Sequence, residues 1–212
     1  MSESFTVTFA IDTVKGWPYY LSKIYQEQFA LELFAKEKLP IVILNPSLLL
    51  GPGDDRGSST DDVLKFLQRK IPIVPEGGLN FVDVRDVAKV FPVAMERGTP
   101  GERYLLGGPN WTFSTFFGRL ERLAKVPGPR LRVPAAWARF GATAMQELAN
   151  WRGVAPSVDR ISVEMSEHFW YVDSSRAEQE LGFSARDPQE TLLDTIRYLR
   201  KHFLGQVAEA VL

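Results

Sequence analysis

The sequence predicts an α/β fold built on a parallel sheet with helices on both faces. Residues 41–44 read Ile-Val-Ile-Leu, an apolar run without polar alternation, which is the pattern of a strand inside a parallel sheet. A helical pattern precedes this run over residues 19–38, and further strand and helix patterns alternate after it. Ligands bind beyond the carboxyl ends of such strands, so we expect a site next to residues 45–47.

The bulk properties fit a folded protein and exclude several function classes. The chain has 212 residues, enough for one large domain with a small lobe, and 45% of them are hydrophobic. The formal net charge of −1 gives no electrostatic preference for nucleic acid or an anionic membrane, so we expect neither as a partner. Because the sequence contains no cysteine, disulfides and thiolate chemistry are excluded. No apolar run is long enough to span a membrane, and we expect a soluble, cytoplasmic protein.

The helix over residues 19–38 is predicted to begin after Pro18 and to end before Pro40. Its apolar residues predict a broad stripe, as in a helix packed on a sheet. The stripe consists of Tyr20, Leu21, Ile24, Tyr25, Ala30, Leu31 and Phe34.

The other elements follow from periodicity and capping signals along the chain. Strands are predicted at residues 5–9, 71–74, 80–82, 103–106 and 169–172. Helices are predicted at 62–69 with a Ser-Thr-Asp-Asp cap, at 83–97 capped by Asp83, at 112–125 capped by Thr112, at 173–182 and at 188–202. Composition shifts between residues 126 and 156, where prolines and aromatic residues surround a probable helix.

Three further patterns each allow two interpretations. Gly51-x-Gly53 lies where a dinucleotide loop would, but Arg56 takes the place of the third glycine, which favours a tight turn. The nearby aspartates, Asp54 among them, suit a metal or helix capping, and capping is favoured because no histidine is near. Residues 83–86 contain a charge cluster that is either catalytic or an ion pair orienting a capped helix, with the ion pair favoured.

Tyr19 and Lys23 are the residues most able to carry chemistry. They are four residues apart at the start of a predicted helix, so both side chains lie on one helix face. A free phenol is a poor acid near neutral pH, and a nearby ammonium favours its phenolate form, which eases proton exchange with a carbonyl or alcohol oxygen. Tyr19 is therefore a candidate general acid/base with Lys23 as its electrostatic helper. The alternative is an ordinary aromatic residue and an ordinary surface lysine, because the spacing is common.

The wider context resembles a known family. Tyr-x-x-Ser-Lys at residues 19–23 is followed by Asn-Pro-Ser at 45–47, Gly-Pro-Gly at 51–53 and Phe-Val-Asp-Val-Arg-Asp-Val-Ala at 81–88. This order resembles the extended short-chain dehydrogenase/reductases, and within them the dihydroflavonol reductase-like and nucleotide-sugar epimerase/dehydratase branch. The resemblance runs over residues 19–202.

The resemblance implies hydride transfer between NAD or NADP and a small-molecule carbonyl or secondary alcohol. It assigns the proton transfer to Tyr19, while Lys23 assists it and binds the nicotinamide ribose. It also implies that Pro46, Ser47 and Leu48 contact the cofactor, although the alternative that this segment merely ends the strand stays open. Residues 126–212 would form a small, mostly helical substrate lobe with the last strand and closing helix, and residues 1–125 part of a Rossmann-like domain.

The sequence contains no glycine-rich strand-turn-helix ahead of Tyr19. We therefore expect a partial Rossmann-like sheet that corresponds to the carboxyl-terminal half to two-thirds of such an enzyme, with the amino-terminal cofactor-binding half absent. The alternative function is a non-catalytic binding or assembly module derived from the same enzymes. Exposed sheet surface would favour burial against a second copy, so a homodimer is a further expectation.

Overall fold

The computed structural model describes residues 14–130 and 160–205, and over these ranges it is an α/β protein. The predicted strand at residues 5–9 lies outside the described residues, and so do residues 131–159 and 206–212 of the predicted substrate lobe. The helices are α1 (Pro18–Glu37), α2 (Asp61–Leu67), α3 (Val84–Arg97), α4 (Phe113–Ala124), α5 (Arg160–Ser166), α6 (Ser175–Leu181) and α7 (Pro188–Phe203). The strands are β1 (Ile43–Pro46), β2 (Leu48–Leu50), β3 (Gly78–Asp83), β4 (Arg103–Leu106), β5 (Asn110–Thr112) and β6 (Phe169–Trp170).

Strand pairing confirms the predicted parallel sheet and adds one antiparallel strand. β3 pairs with β2 in parallel, with Leu48 opposite Phe81, and with β6 in parallel. β5 runs antiparallel to β3, with Asn80 opposite Asn110. A separate two-stranded sheet joins β1 to β4.

The described chain divides into two compact units. One consists of residues 14–43 and 98–103, and the other of residues 44–97, 104–130 and 160–205. The boundary between residues 125 and 126 that the sequence indicates stays a prediction. Among the described helices, none combines the length and apolar character that a membrane crossing requires.

The second unit has an aromatic core between the β2–β3 sheet and helices α2, α4 and α7. Phe66 and Phe117 stack with ring centroids 5.8 Å apart, and Phe81 and Phe116 meet edge to face with centroids 5.7 Å apart. The fully buried side chains of this cluster include Leu50, Val63, Leu120, Leu192, Ile196 and Leu199. Burying an aliphatic or aromatic side chain of this kind stabilises a fold by about 1.5–3 kcal/mol, so this cluster anchors the strands of the unit.

Helix α1 confirms the predicted bounds to within one residue at each end. Pro18 occupies its first turn, and Lys38 ends it in the left-handed region with φ 58°, where its N–H donates to the Phe34 carbonyl. No residue of the helix is buried, and the side chains of Tyr25 and Phe29 are 56% and 63% exposed. Six of the seven residues of the predicted stripe are half-buried and one, Tyr25, is exposed, so the helix has one partly covered face. Packing of that face on a sheet stays a prediction.

Local hydrogen bonds confirm most of the predicted caps. The Asp83 carboxylate accepts the Arg85 N–H at 2.9 Å, and the Thr112 hydroxyl oxygen accepts the Thr115 N–H at 3.2 Å. Gly182 ends α6 in the left-handed region with φ 65°, as predicted. These short polar side chains satisfy backbone donors that a helix start leaves without partners.

Two local predictions were wrong. The side chain of Thr60 makes no capping hydrogen bond to α2. The Asp54 carboxylate accepts the Ser59 and Thr60 N–H groups just before the helix, both at 2.9 Å. The Thr60 hydroxyl donates to the same Asp54 carboxylate at 3.0 Å, so it is engaged with the preceding loop and not with the helix. Residues 71–74 form no strand apart from a single bridge at Ile73, because the chain containing Pro72 lacks one of the donors that a ladder uses.

Replacing Gly77 by alanine is expected to destabilise the second unit by about 3 kcal/mol or more. An added Cβ would lie 2.3 Å from the His168 carbonyl oxygen and 2.6 Å from that of Ser166, and backbone atoms cannot move aside as side chains do. The matched control is Gly118→Ala in α4, where nothing lies within 4 Å of the added Cβ. This change should stabilise the helix by up to about 1 kcal/mol. Urea denaturation measures the free energy of unfolding of both variants. Equal changes in Gly77→Ala and Gly118→Ala would contradict the prediction.

Candidate functional site

The structure brings Tyr19 and Lys23 together on α1, as their spacing predicts. The Nζ atom of Lys23 lies over the Tyr19 ring, 5.4 Å from its centroid. A cation at this distance from an aromatic face is attracted by about 0.5–1 kcal/mol at an exposed position. The Tyr19 side chain is 66% exposed, so its hydroxyl is open to a reacting molecule.

Two neighbouring polar side chains contact this pair: Ser22, which is part of the Tyr-x-x-Ser-Lys pattern, and Gln26, which the sequence analysis did not single out. The Lys23 ammonium donates a hydrogen bond to Oε1 of Gln26 at 3.3 Å. The Ser22 hydroxyl donates to the backbone carbonyl oxygen of Tyr19 at 2.6 Å. Ser22 thus stabilises the helix backbone under Tyr19, while Gln26 holds the ammonium. The spacing of three residues on a helix was the sequence signal for both contacts.

The segment predicted to contact a cofactor lies in the second unit, where β1 ends and β2 begins. The Ser47 N–H donates to the Leu106 carbonyl oxygen at 2.9 Å, which fixes the backbone at this point. Pro46 is exposed, whereas Leu48 packs against the hydrophobic core and pairs with Phe81. The Ser47 hydroxyl oxygen is buried and has no hydrogen-bond partner within the described ranges. A buried hydroxyl without a partner costs free energy, so Ser47 is the residue of this segment that is best suited to bind a polar group.

The Gly51–Gly53 segment is a tight turn. Gly51 and Gly53 have φ values of 120° and 103°, which residues with a Cβ rarely adopt. The Gly51 N–H donates to the Thr195 hydroxyl at 2.8 Å, so the protein itself uses this backbone donor. The geometry supports the turn interpretation over a phosphate-binding loop.

The charge cluster at residues 83–86 is an ion-pair network inside the second unit. Arg85 donates from two nitrogens to the fully buried carboxylate of Asp83 and also reaches Asp194 at 2.9 Å. Arg186 binds Asp86 in the same bidentate way, through Nε at 2.9 Å and Nη2 at 2.8 Å. Because each carboxylate is held by a guanidinium of the protein, the predicted orienting role is confirmed.

The pKa values of these carboxyl groups follow from the same contacts. The hydrogen bonds from Arg186 outweigh burial and lower the pKa of Asp86 to about 2. For Asp83, burial alone would raise the pKa, but the combined hydrogen bonds from Arg85 and Thr191 lower it below the usual value. Both groups are therefore ionised near neutral pH and unsuited to proton transfer there. Within residues 14–130 and 160–205 no three acidic or histidine side chains come together as metal ligands.

Comparison with known proteins gives consistent matches. The chain is 35% identical to the putative dihydroflavonol 4-reductase of Synechocystis over 87% of its own length and 55% of that protein. It is 29% identical to sterol demethylase protein B of Methylococcus capsulatus over 88% of its length and 57% of that protein. A crystal structure of a nucleoside-diphosphate-sugar epimerase from Pseudomonas aeruginosa matches 88% of this chain and 56% of its own, with 28% identity and a TM-score of 0.71.

The fold and these matches define the class as a Rossmann-type α/β protein. The chain belongs to the NAD dependent epimerase/dehydratase family, whose sequence model matches residues 5–107. That match contains Tyr19, Lys23 and the segment from Pro46 to Leu48. The chain spans about half the length of the curated relatives it matches.

Proposed function

We propose that this chain supplies the proton-transfer residues of an NAD(P)-dependent oxidoreductase acting on a small carbonyl compound or secondary alcohol. The observation that carries the proposal is the exposed Tyr19 phenol with the Lys23 ammonium 5.4 Å from its ring centroid. In the reductive direction, Tyr19 gives its hydroxyl proton to the carbonyl oxygen as that oxygen gains negative charge, and Lys23 stabilises the resulting phenolate. In the oxidative direction, the phenolate takes the alcohol proton. A cytoplasmic location accompanies this proposal.

Each of the two units, taken by itself, has a polar group that suits part of a nicotinamide dinucleotide. Such a cofactor, when bound, supplies or accepts the hydride, and the protein supplies binding and orientation. Lys23 has an exposed ammonium that suits a ribose hydroxyl, and Ser47 has a buried hydroxyl without a partner among the described residues. The described groups therefore suit hydroxyl and amide partners, while the turn at Gly51 is engaged by Thr195 and does not suit a pyrophosphate.

The second candidate function is a binding or assembly module without turnover. The engagement of the Gly51 N–H inside the protein favours this function, because it removes the glycine-containing loop as a phosphate site. The two functions differ in one measurable property. The enzyme must bind a reduced nicotinamide cofactor, and the module need not.

Isothermal titration calorimetry with NADH and NADPH on the purified chain distinguishes the enzyme from the binding or assembly module. We expect saturable binding of one of them, weakened roughly 10-fold to 100-fold by Lys23→Met, because a hydrogen bond to a charged group is worth about 1.5–3 kcal/mol. Lys36→Met is the matched control, since Lys36 is an exposed lysine of the same helix that pairs with Glu32 at 3.3 Å. Absence of saturable binding of either cofactor would favour the module.

We also propose that the chain forms a homodimer through α1. Tyr25 and Phe29 lie in the exposed part of the helix, next to the Glu32–Lys36 ion pair. An antiparallel pairing of two copies could bury both rings and place the glutamate of one copy near the lysine of the other, which makes the surface self-complementary.

Phe29→Glu is expected to convert such a dimer to a monomer, because a carboxylate would have to be desolvated at the centre of the contact. Light scattering after size-exclusion chromatography measures the mass. Met95→Glu is the control, since Met95 is 88% exposed on α3 in the other unit and the change should leave the mass unaltered. A wild-type chain that is monomeric at all concentrations would contradict the proposal.

A further inference from the structure

The aromatic side chains before and after Tyr19 form a continuous series of contacts. The indole of Trp17 is only 5% exposed and meets the Tyr20 ring edge-on, with centroids 5.9 Å apart and an interplanar angle of 63°. Tyr20 in turn meets Tyr19 with centroids 5.5 Å apart and an angle of 89°. A buried ring is thereby linked to an exposed phenol through one half-buried ring.

We infer that Tyr20 is a positioning residue that holds the Tyr19 ring beneath the Lys23 ammonium. An exposed side chain on a helix can occupy more than one rotamer, and each rotamer of Tyr19 places its hydroxyl differently. The perpendicular contact with Tyr20 favours one of them, because edge-to-face geometry is the preferred arrangement of two aromatic rings at this separation. The catalytic meaning of this contact rests on the proposed function, but the contact itself does not.

The Tyr19 ring also contacts the positively charged ammonium group of Lys23. Lys23 lies 5.4 Å from the ring centroid and is itself held by Gln26 at 3.3 Å. The Tyr19 ring therefore has a perpendicular aromatic ring as one neighbour and an ammonium group as another. Losing Tyr20 leaves the second contact without the first, and we expect the Tyr19 ring to sample positions in which the ammonium no longer lies over its face.

Tyr20 does not compete with Tyr19 as a proton donor. Burial raises the pKa of Tyr20, and negative charge on Tyr19 would raise it further. Tyr20 therefore stays protonated throughout the neutral range, and its contribution is the position of its ring. Tyr20→Phe keeps that ring and should keep the effect.

The test uses an observable that does not depend on turnover. Protons lying over an aromatic face are shifted upfield, so the ε-methylene protons of Lys23 report the position of the Tyr19 ring by NMR. In Tyr20→Leu we expect their upfield shift to fall by more than half, and in Tyr20→Phe we expect it to persist. Tyr20→Met, which keeps apolar bulk without a ring, is a second variant in case leucine impairs folding. Phe91→Leu is the control, because Phe91 is an exposed aromatic residue of α3 and takes no part in the contacts of α1 described above.

The inference is overturned if the Lys23 ε-methylene signals stay unchanged in both Tyr20→Leu and Tyr20→Met. It is also overturned if the upfield shift falls equally in Tyr20→Leu and Tyr20→Phe.

A kinetic test applies where the wild-type chain turns over a carbonyl probe. Tyr20→Leu should then lower kcat by up to about 100-fold with little change in KM, and Tyr20→Phe should keep the wild-type kcat. A loss of kcat without a change at Lys23 also overturns the inference. If the wild-type chain shows no cofactor binding, the proposed function fails while the NMR result still decides the role of Tyr20.

Discussion

Under the proposed function, replacing Tyr19 by phenylalanine is expected to lower kcat for carbonyl reduction by roughly 10²–10⁴-fold, which is the usual contribution of a positioned general acid. The change removes one oxygen atom and leaves the ring, so the contact with Lys23 at 5.4 Å and the contact with Tyr20 at 5.5 Å are retained. Binding of NADPH should therefore change little, and the loss should appear in kcat. The measurement is the decrease of NADPH absorbance with para-nitrobenzaldehyde as the probe substrate.

Two further variants make this result specific. Tyr25→Phe removes a hydroxyl from an exposed tyrosine on the same helix and should leave kcat unaltered. The double variant Tyr19→Phe with Lys23→Met should cost little more than Tyr19→Phe alone, because residues that act as one unit are not additive. Additive losses in the double variant, or a Tyr19→Phe chain with wild-type kcat, would exclude Tyr19 as the acid.

The sequence was sufficient for features that depend on neighbours a few residues away. Pro18 and Pro40 delimited α1 because a proline lacks the donor that a helix interior requires. Tyr19 and Lys23 were placed together by helix geometry alone, since their backbone positions fix one shared face. The Asp83 and Thr112 caps were predicted for the same reason, because each accepts an N–H only two or three residues further along.

Features that depend on distant parts of the chain could not be predicted in this way. Asp86 finds its partner in Arg186, one hundred residues later, and no local pattern marks that pairing. The Ser47 hydroxyl finds no hydrogen-bond partner in the described part of the chain, and this depends on what surrounds the end of β1, which residue spacing does not describe. The exposure of Phe29 likewise reflects which faces of α1 are covered, whereas the sequence gives only where its apolar residues lie.

Replacing Asp86 by alanine is expected to lower the free energy of unfolding by about 3 kcal/mol at neutral pH. The Asp86 carboxylate is 5% exposed and accepts three hydrogen bonds from Arg186, one of them from the backbone N–H at 2.9 Å. Removing it leaves the Arg186 guanidinium, which is only 17% exposed, with weaker contacts to Asp83 at 3.5 Å and Glu190 at 3.1 Å. Glu190→Ala is the matched control, because Glu190 binds the same arginine from a side chain that is 55% exposed and should contribute less than about 1 kcal/mol.

The stabilisation by Asp86 should also depend on pH in a defined direction. Its pKa is lowered to about 2 in the folded protein, against about 3.9 for an unfolded aspartate, so the unfolded state binds the proton more readily. The contribution is therefore complete above about pH 5 and is lost as pH falls from about 4 towards 2. Urea denaturation of the wild type and Asp86→Asn across this range should show a stability difference that is constant near neutrality and shrinks in acid. Two outcomes would show that the Asp86–Arg186 pair does not stabilise the fold through its charge. One is a stability difference that stays constant down to pH 2. The other is a loss of unfolding free energy in Glu190→Ala as large as that in Asp86→Ala.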